Sequence, residues 1–175
     1  MKAFLVVGPE CSGTRMLTDA LIRAGAFGQP SHEQEMDNLD FRGRPDLIVL
    51  RRSVPHGNTW PDLPRIIRAM TAAGYHVSPI VTFRDKDFCV KSQLRMSPEA
   101  TDSESRARYY WAYRIIFEYL AACEVVPLVC HYATFVNDPQ FRAFFFKQLG
   151  LPCPELEVFD ADLQYPDVPL SVAGG

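Results

Sequence analysis

Gly8 and Gly13 bracket the segment GPECSG with the glycine spacing of a Walker-type phosphate-binding loop, yet Thr14 and Arg15 follow where that loop carries lysine and a hydroxyl residue. In ATP and GTP enzymes the lysine reaches the β- and γ-phosphates and the hydroxyl binds Mg²⁺. A loop without both is poorly equipped for metal-assisted phosphoryl transfer. What remains is a Gly/Ser turn between an apolar run, Ala3 to Val7, and a segment whose Met16, Leu17, Ala20, Leu21 and Ala24 share one helical face. At such a turn the backbone N–H groups and the positive end of the helix converge, which suits a phosphate or sulfate held without side-chain charge. The plain alternative is a glycine-containing strand-to-helix turn with no ligand.

A second cluster lies in VSPIVTFRDKDFCVKSQLR, from Val77. Ile80 to Phe83 read as a buried strand and Asp85 to Arg95 as the helix after it, so Arg84 stands at the strand's carboxyl end. Ser92 lies about two turns into the helix. Helical side chains lean toward the N-terminus, so Ser92 can point back at a group held by Arg84, one neutral and one charged donor for a phosphate. Asp85, Lys86 and Asp87 read as helix-start residues.

Strand, SGT-containing loop, helix, and later a strand ending in Arg with Ser eight residues beyond it resemble the sulfotransferase family. The segment VCHYATFVNDPQFRAFFFKQLGLP, from Val129, is similar to the family's strand, Tyr-containing turn, Asp-Pro and closing helix. The resemblance implies 3′-phosphoadenosine 5′-phosphosulfate as co-substrate, with Cys11, Ser12, Gly13, Thr14 and Arg15 around the 5′-phosphosulfate and Arg84 and Ser92 on the 3′-phosphate. Tyr132 would contact the adenine or brace the sheet. No metal is implied. The family loop usually begins with a lysine that contacts the bridging oxygen, and Cys11 stands there instead. The substitute cation would be Arg15, Arg51 or Arg52; otherwise activity is low or the chain binds without catalysing. The Arg-Lys-Gly segment that some members use for the 3′-phosphate has no clear match.

Sulfuryl transfer also needs a base for the acceptor's proton. After a strand expected at Asp46 to Leu50, RRSVPHGNTWPDL places Arg51, Arg52, Ser53 and His56 at the carboxyl edge where open α/β sheets carry their sites. It resembles the Lys-Thr-His segment of cytosolic sulfotransferases, which would make His56 the base and Arg51 or Arg52 the cation near the sulfuryl group. The second candidate is Glu33 in SHEQEMD, because carbohydrate sulfotransferases place a glutamate base early; His32 and Glu35 are its neighbours. Ser31 and Gln34 there also fit a helix start. His76 and His131 flank apolar strands and read as structural.

These groups need a scaffold. Strands near residues 3, 46, 77 and 126 alternating with helices predict an α/β fold, a P-loop-type three-layer α/β/α arrangement with a mostly parallel central sheet. With 175 residues and 47% hydrophobic composition the chain suits one domain over 1–175, irregular from about residue 152. Tyr109, Tyr113, Ile116, Leu120 and Cys123 form a helical stripe in Ser103 to Cys123, with Ser103 as its cap; Tyr109, Tyr110 and Trp111 are candidates for an acceptor cleft. A net charge of −3 argues against nucleic acid as a partner. The first strand begins too early for a signal peptide, and no apolar run of about 18 residues suggests a membrane span. Five cysteines without C-x-x-C spacing fit reduced thiols in a cytoplasm, with Cys11 the thiol a helix N-terminus would activate. The expectation is a cytoplasmic sulfotransferase-like enzyme acting on a hydroxyl or amine of a small-molecule or carbohydrate acceptor. The alternatives are a divergent nucleotide or small-molecule kinase and a non-catalytic nucleotide-binding module.

Overall fold

A computed structural model describes residues 1–30 and 39–167 of the chain. Strand β1 (Lys2–Gly8) lies inside a four-stranded sheet with Ala3 to Val7 wholly buried, because helices cover both of its faces. Burial on two sides explains an unbroken apolar run in place of alternation. With β2 (Leu47–Ser53), β3 (His76–Phe83) and β4 (Leu128–His131) the sheet runs β2-β1-β3-β4, every pair parallel. Parallel neighbours require crossovers. These are α1 (Thr14–Arg23), α2 (Leu63–Ala72), and α3 (Lys86–Met96) together with α4 (Asp102–Ala122). After β4 come α5 (Tyr132–Asn137) and α6 (Pro139–Leu149), and the tail holds one 3₁₀ turn, Ala161–Gln164. The architecture is the expected α/β fold, three layers about a parallel sheet.

The two-residue period of the strands sorts their side chains into the two outer layers. Ala3, Leu5, Val7 and Leu50 pack with Leu63, Ile66 and Met70 of α2 and with Tyr113, Ile116 and Leu120 of α4. Phe4, Val6 and Val49 pack with Leu17 and Leu21 of α1, Phe135 of α5, and Phe145 and Phe146 of α6. Each large side chain so buried contributes about 1.5–3 kcal/mol, which makes these layers the stable part of the chain.

Local signals begin and end the helices. Asp62 caps α2 by accepting from the Arg65 N–H at 2.9 Å, and Asp138 caps α6, which ends at left-handed Gly150. Asp85 accepts from the Asp87 N–H at 2.8 Å, the structural role expected of it, and His131 caps α5. Ser103 is not the cap of α4; Thr101 is, in a reciprocal box with Glu104. The box satisfies two N–H groups where a lone serine would satisfy one. β2 also runs further than Asp46 to Leu50, taking in Arg51 and Arg52, which pair in register with Val6 and Val7. No helix among the described residues is long and apolar enough to cross a membrane.

From β1 the chain crosses to β2 on one side and then returns to β3 on the other. The crevice between the carboxyl ends of β1 and β3 is therefore a topological switch point, the place where open α/β sheets bind ligands.

Candidate functional site

The loop after β1 is shaped by its two glycines. A Cβ on Gly8 would collide with the hydroxyls of Thr82 and Ser12, which hydrogen-bond each other at 2.7 Å between β3 and the loop. Gly13 has φ 95°, and a Cβ there would lie 2.6 Å from the Tyr132 ring. Cys11, at φ 67°, also takes the left-handed region that side chains rarely adopt. Left-handed residues alternating with right-handed ones form the nests whose N–H groups face one concavity, and the loop leads directly into α1. The Ser12 N–H is not one of the open donors, since it bonds to the Pro9 carbonyl at 3.1 Å. Its side chain turns to Thr82, so Ser12 braces the loop. The loop carbonyls are held from α3 and β3: Gln93 Nε2 donates to the Glu10 carbonyl at 3.1 Å and Arg84 Nη1 to the Cys11 carbonyl at 2.7 Å.

Arg84 lies at the carboxyl end of β3 as expected, but it is 5% exposed and fully engaged. Its Nε donates to Asp162 Oδ1 at 2.7 Å and Nη2 bonds the same oxygen, while the guanidinium sits 4.6 Å from the Tyr132 ring centroid. Burial pushes the Asp162 carboxyl above the usual carboxylate range, with Arg84 pulling the other way. Tyr132 is thus a spacer between Gly13 and Arg84, and its hydroxyl accepts from the Ala161 N–H at 3.0 Å. Ser92 is buried and lies beside the Cys11 thiol, which itself donates to Met96 Sδ at 3.7 Å. That thiol is not the activated one expected: burial raises it above the ordinary thiol value, more than Ser92, Arg84 and Arg95 lower it.

The neighbours Arg51 and Arg52 part company because strand side chains alternate. Arg51 shares the side of Val49, and Arg52 that of Leu50, in the layer of α2 and α4. Arg51 lines the cleft; Arg52 does not, being 1% exposed with Nη1 bonded to the Arg51 carbonyl at 2.8 Å. His56 is exposed at the cleft rim, where its backbone pairs with Thr59 in both directions, N–H to carbonyl, at 2.8 and 2.9 Å. Glu10 accepts from the Gly57 N–H at 2.7 Å and lies 3.9 Å from His56 Nδ1. The phosphate-type loop therefore holds the histidine turn with its own carboxylate. Glu33, with His32 and Glu35, lies outside the described residues.

Together these groups line a cleft of about 720 Å³, which takes in Cys11, Gly13, Thr14, Arg15, Arg51, His56, Arg84, Ser92 and Tyr132, with Phe159 and Ala161 from the tail. Tyr109, Tyr110 and Trp111 are not in it. Tyr109 and Tyr113 are core residues whose hydroxyls donate to the Arg84 and Thr82 carbonyls, both at 2.9 Å, and so fix the end of β3. Two site residues escaped sequence reasoning. Glu10 was visible as an acid inside the loop; Asp162, in a tail read as irregular, carries no local signal. Among the described residues no cluster of three or more His, Cys, Asp or Glu is arranged to hold a metal ion. In comparisons with known proteins no family model, no curated protein and no solved structure matches the chain.

Proposed function

We propose that this chain is a sulfotransferase-like enzyme that takes 3′-phosphoadenosine 5′-phosphosulfate and transfers its sulfuryl group to a hydroxyl or amine of a small-molecule or carbohydrate acceptor. The observation that carries the reading is one cleft at the switch point, lined by residues of all three groups that the resemblance nominated: the loop Cys11–Arg15, the pair Arg84 and Ser92, and the Arg51–His56 segment. In this reading the loop end holds the transferring group by backbone N–H groups, with Arg15 and Arg51 as cations for the charge that develops on it. His56 removes the acceptor proton as the acceptor's oxygen or nitrogen bonds to sulfur. The bond from sulfur to the bridging oxygen breaks, and 3′-phosphoadenosine 5′-phosphate leaves. Glu10 orients the His56 turn through the Gly57 N–H. Arg15 and Arg51, unlike Cys11, carry charge suited to the part played by the family lysine.

Calorimetry tests the binding half: 3′-phosphoadenosine 5′-phosphate binds, and ATP with Mg²⁺ binds more weakly or not at all. The opposite order would replace this reading with a divergent kinase. Turnover is tested with radiolabelled donor and a mixed acceptor library, where His56→Ala lowers product formation by about 10²–10⁴-fold, the usual contribution of a general base. Labelled product unchanged in His56→Ala but lost in Glu33→Gln moves the base to the early loop. Binding without any labelled product favours the non-catalytic module, to which Cys11 in the lysine position also points.

A further inference from the structure

The second anion position of the cleft already holds an anion. Asp162 places its carboxylate on Arg84 Nε and Nη2, the two donors that a phosphate oxygen would take in a forked contact. The rest of that neighbourhood is closed in the same way: Ala161 bonds to Tyr132, and Phe159 and Ala161 form part of the cleft wall. We propose that the tail segment Asp160–Tyr165 is a displaceable strap in which Asp162 stands in for a phosphomonoester at Arg84, so that a ligand bearing that group binds by expelling the strap. The inference rests on the reading of Arg84 as the second anchor.

Three observations make the strap a releasable part of the fold. It follows residues 152–160, which have no regular secondary structure, and its own four-residue turn is too short to be stable alone. Beyond Asp162 and Ala161 its attachments are few: half-buried Tyr165 lies 6.4 Å from the Phe88 ring, centroid to centroid, with the Arg95 guanidinium 5.8 Å from its own ring, and the rest are polar. Asn137 donates to Asp160 at 3.0 Å and Arg95 to Gln164 at 2.6 Å, and just beyond the strap Lys91 lies 3.5 Å from Asp167, all exposed contacts of the kind that contribute little. Its Leu163 buries little, at 74% exposure, as does Phe159 just before the strap, at 66%. Arg84 is built the opposite way, anchored to the Cys11 carbonyl and packed on Tyr132, so it stays while the strap leaves. The desolvated Asp162 carboxyl regains water on release, which lowers the cost of opening. A phosphomonoester carries more charge and more acceptor oxygens than one carboxylate, and so competes for the same donors.

The test uses the full chain, titrated calorimetrically with 3′-phosphoadenosine 5′-phosphate, with adenosine 5′-phosphate and with inorganic phosphate, as wild type and as Asp162→Asn. Removing a competing internal ligand raises apparent affinity by the reciprocal of the open fraction. The bisphosphate is expected to bind about tenfold or more tightly to Asp162→Asn, with adenosine 5′-phosphate little changed. Hydrogen exchange of residues 156–167 in the wild type should quicken when the bisphosphate binds, a readout that stands even when Asp162→Asn fails to fold. Equal or weaker bisphosphate binding in Asp162→Asn, or tail exchange that is unchanged or slowed by ligand, overturns the strap and leaves Asp162 a structural counter-ion. If neither adenosine ligand binds either form, the functional reading fails by itself and inorganic phosphate decides the strap. Tighter phosphate binding in Asp162→Asn with faster tail exchange sustains it, and any other result, no phosphate binding included, overturns it.

Discussion

The two ends of the cleft carry arginines in opposite states. At the loop end Arg15 is exposed and Arg51 half-buried, both facing the cleft beside His56. At the β3 end Arg84 is buried, neutralised by Asp162 and bonded to a loop carbonyl. An exposed guanidinium can wait for a ligand in water at no cost, whereas a buried one is tolerable only with a counter-ion in place. Burial therefore makes Arg84 a structural member, and under the proposed function the same side chain that would read a phosphate holds the loop that would read a sulfate. The Cys11 carbonyl, held by Arg84 Nη1 at 2.7 Å, is the direct bond between the two ends.

This contrast breaks most directly on arginine removal. Arg84→Ala should lower unfolding free energy by about 1.5–3 kcal/mol, the scale of a lost charge-assisted hydrogen bond, with Asp162 free to turn into water. Arg15→Ala should stay within about 0.5 kcal/mol in the same urea titration. Equal effects would mean that Arg84 is no more structural than Arg15. Gly13→Ala tests whether Tyr132 transmits between the ends: a left-handed φ and the ring 2.6 Å from the new methyl predict a loss of about 1–3 kcal/mol and weaker binding of 3′-phosphoadenosine 5′-phosphate. Stability and affinity both at wild-type level would show that the loop needs neither feature. The smallest effect is a rate. Burial pushes the thiols of Cys11, Cys89 and Cys130 up from their ordinary value, so mass spectrometry after iodoacetamide at pH 8 should find exposed Cys153 modified first, Cys11 slowly, and Cys89 and Cys130 only on unfolding. Cys11 reacting ahead of Cys153 would mean that the loop end carries a stronger positive potential than its burial allows.

Much of the scaffold was legible because it is local. The run Ala3 to Val7, the stripe Leu17, Ala20, Leu21 and Ala24, Asp85 before α3 and the strand end at Arg84 all follow from periods of 2 and 3.6 and from capping chemistry. The error at Ser103 was a competition between two nearby caps, decided by the reciprocal bond of Thr101 with Glu104. Arg51 and Arg52 were beyond reach individually, since alternation says that they face opposite ways and only the packed layers say which faces the cleft.

By itself, then, the amino-acid order determined the parallel α/β layout, the glycine loop and the residues that gather at its rim, since each depends on backbone geometry repeating over a few positions. Only the tertiary structure decided which of those residues are available. The partner of Arg84 lies 78 positions away in an irregular tail, and Glu10 and the His56 turn meet 47 positions apart. Such contacts depend on how three layers close around one sheet, and an arginine's charge acts on whatever that closure brings within reach.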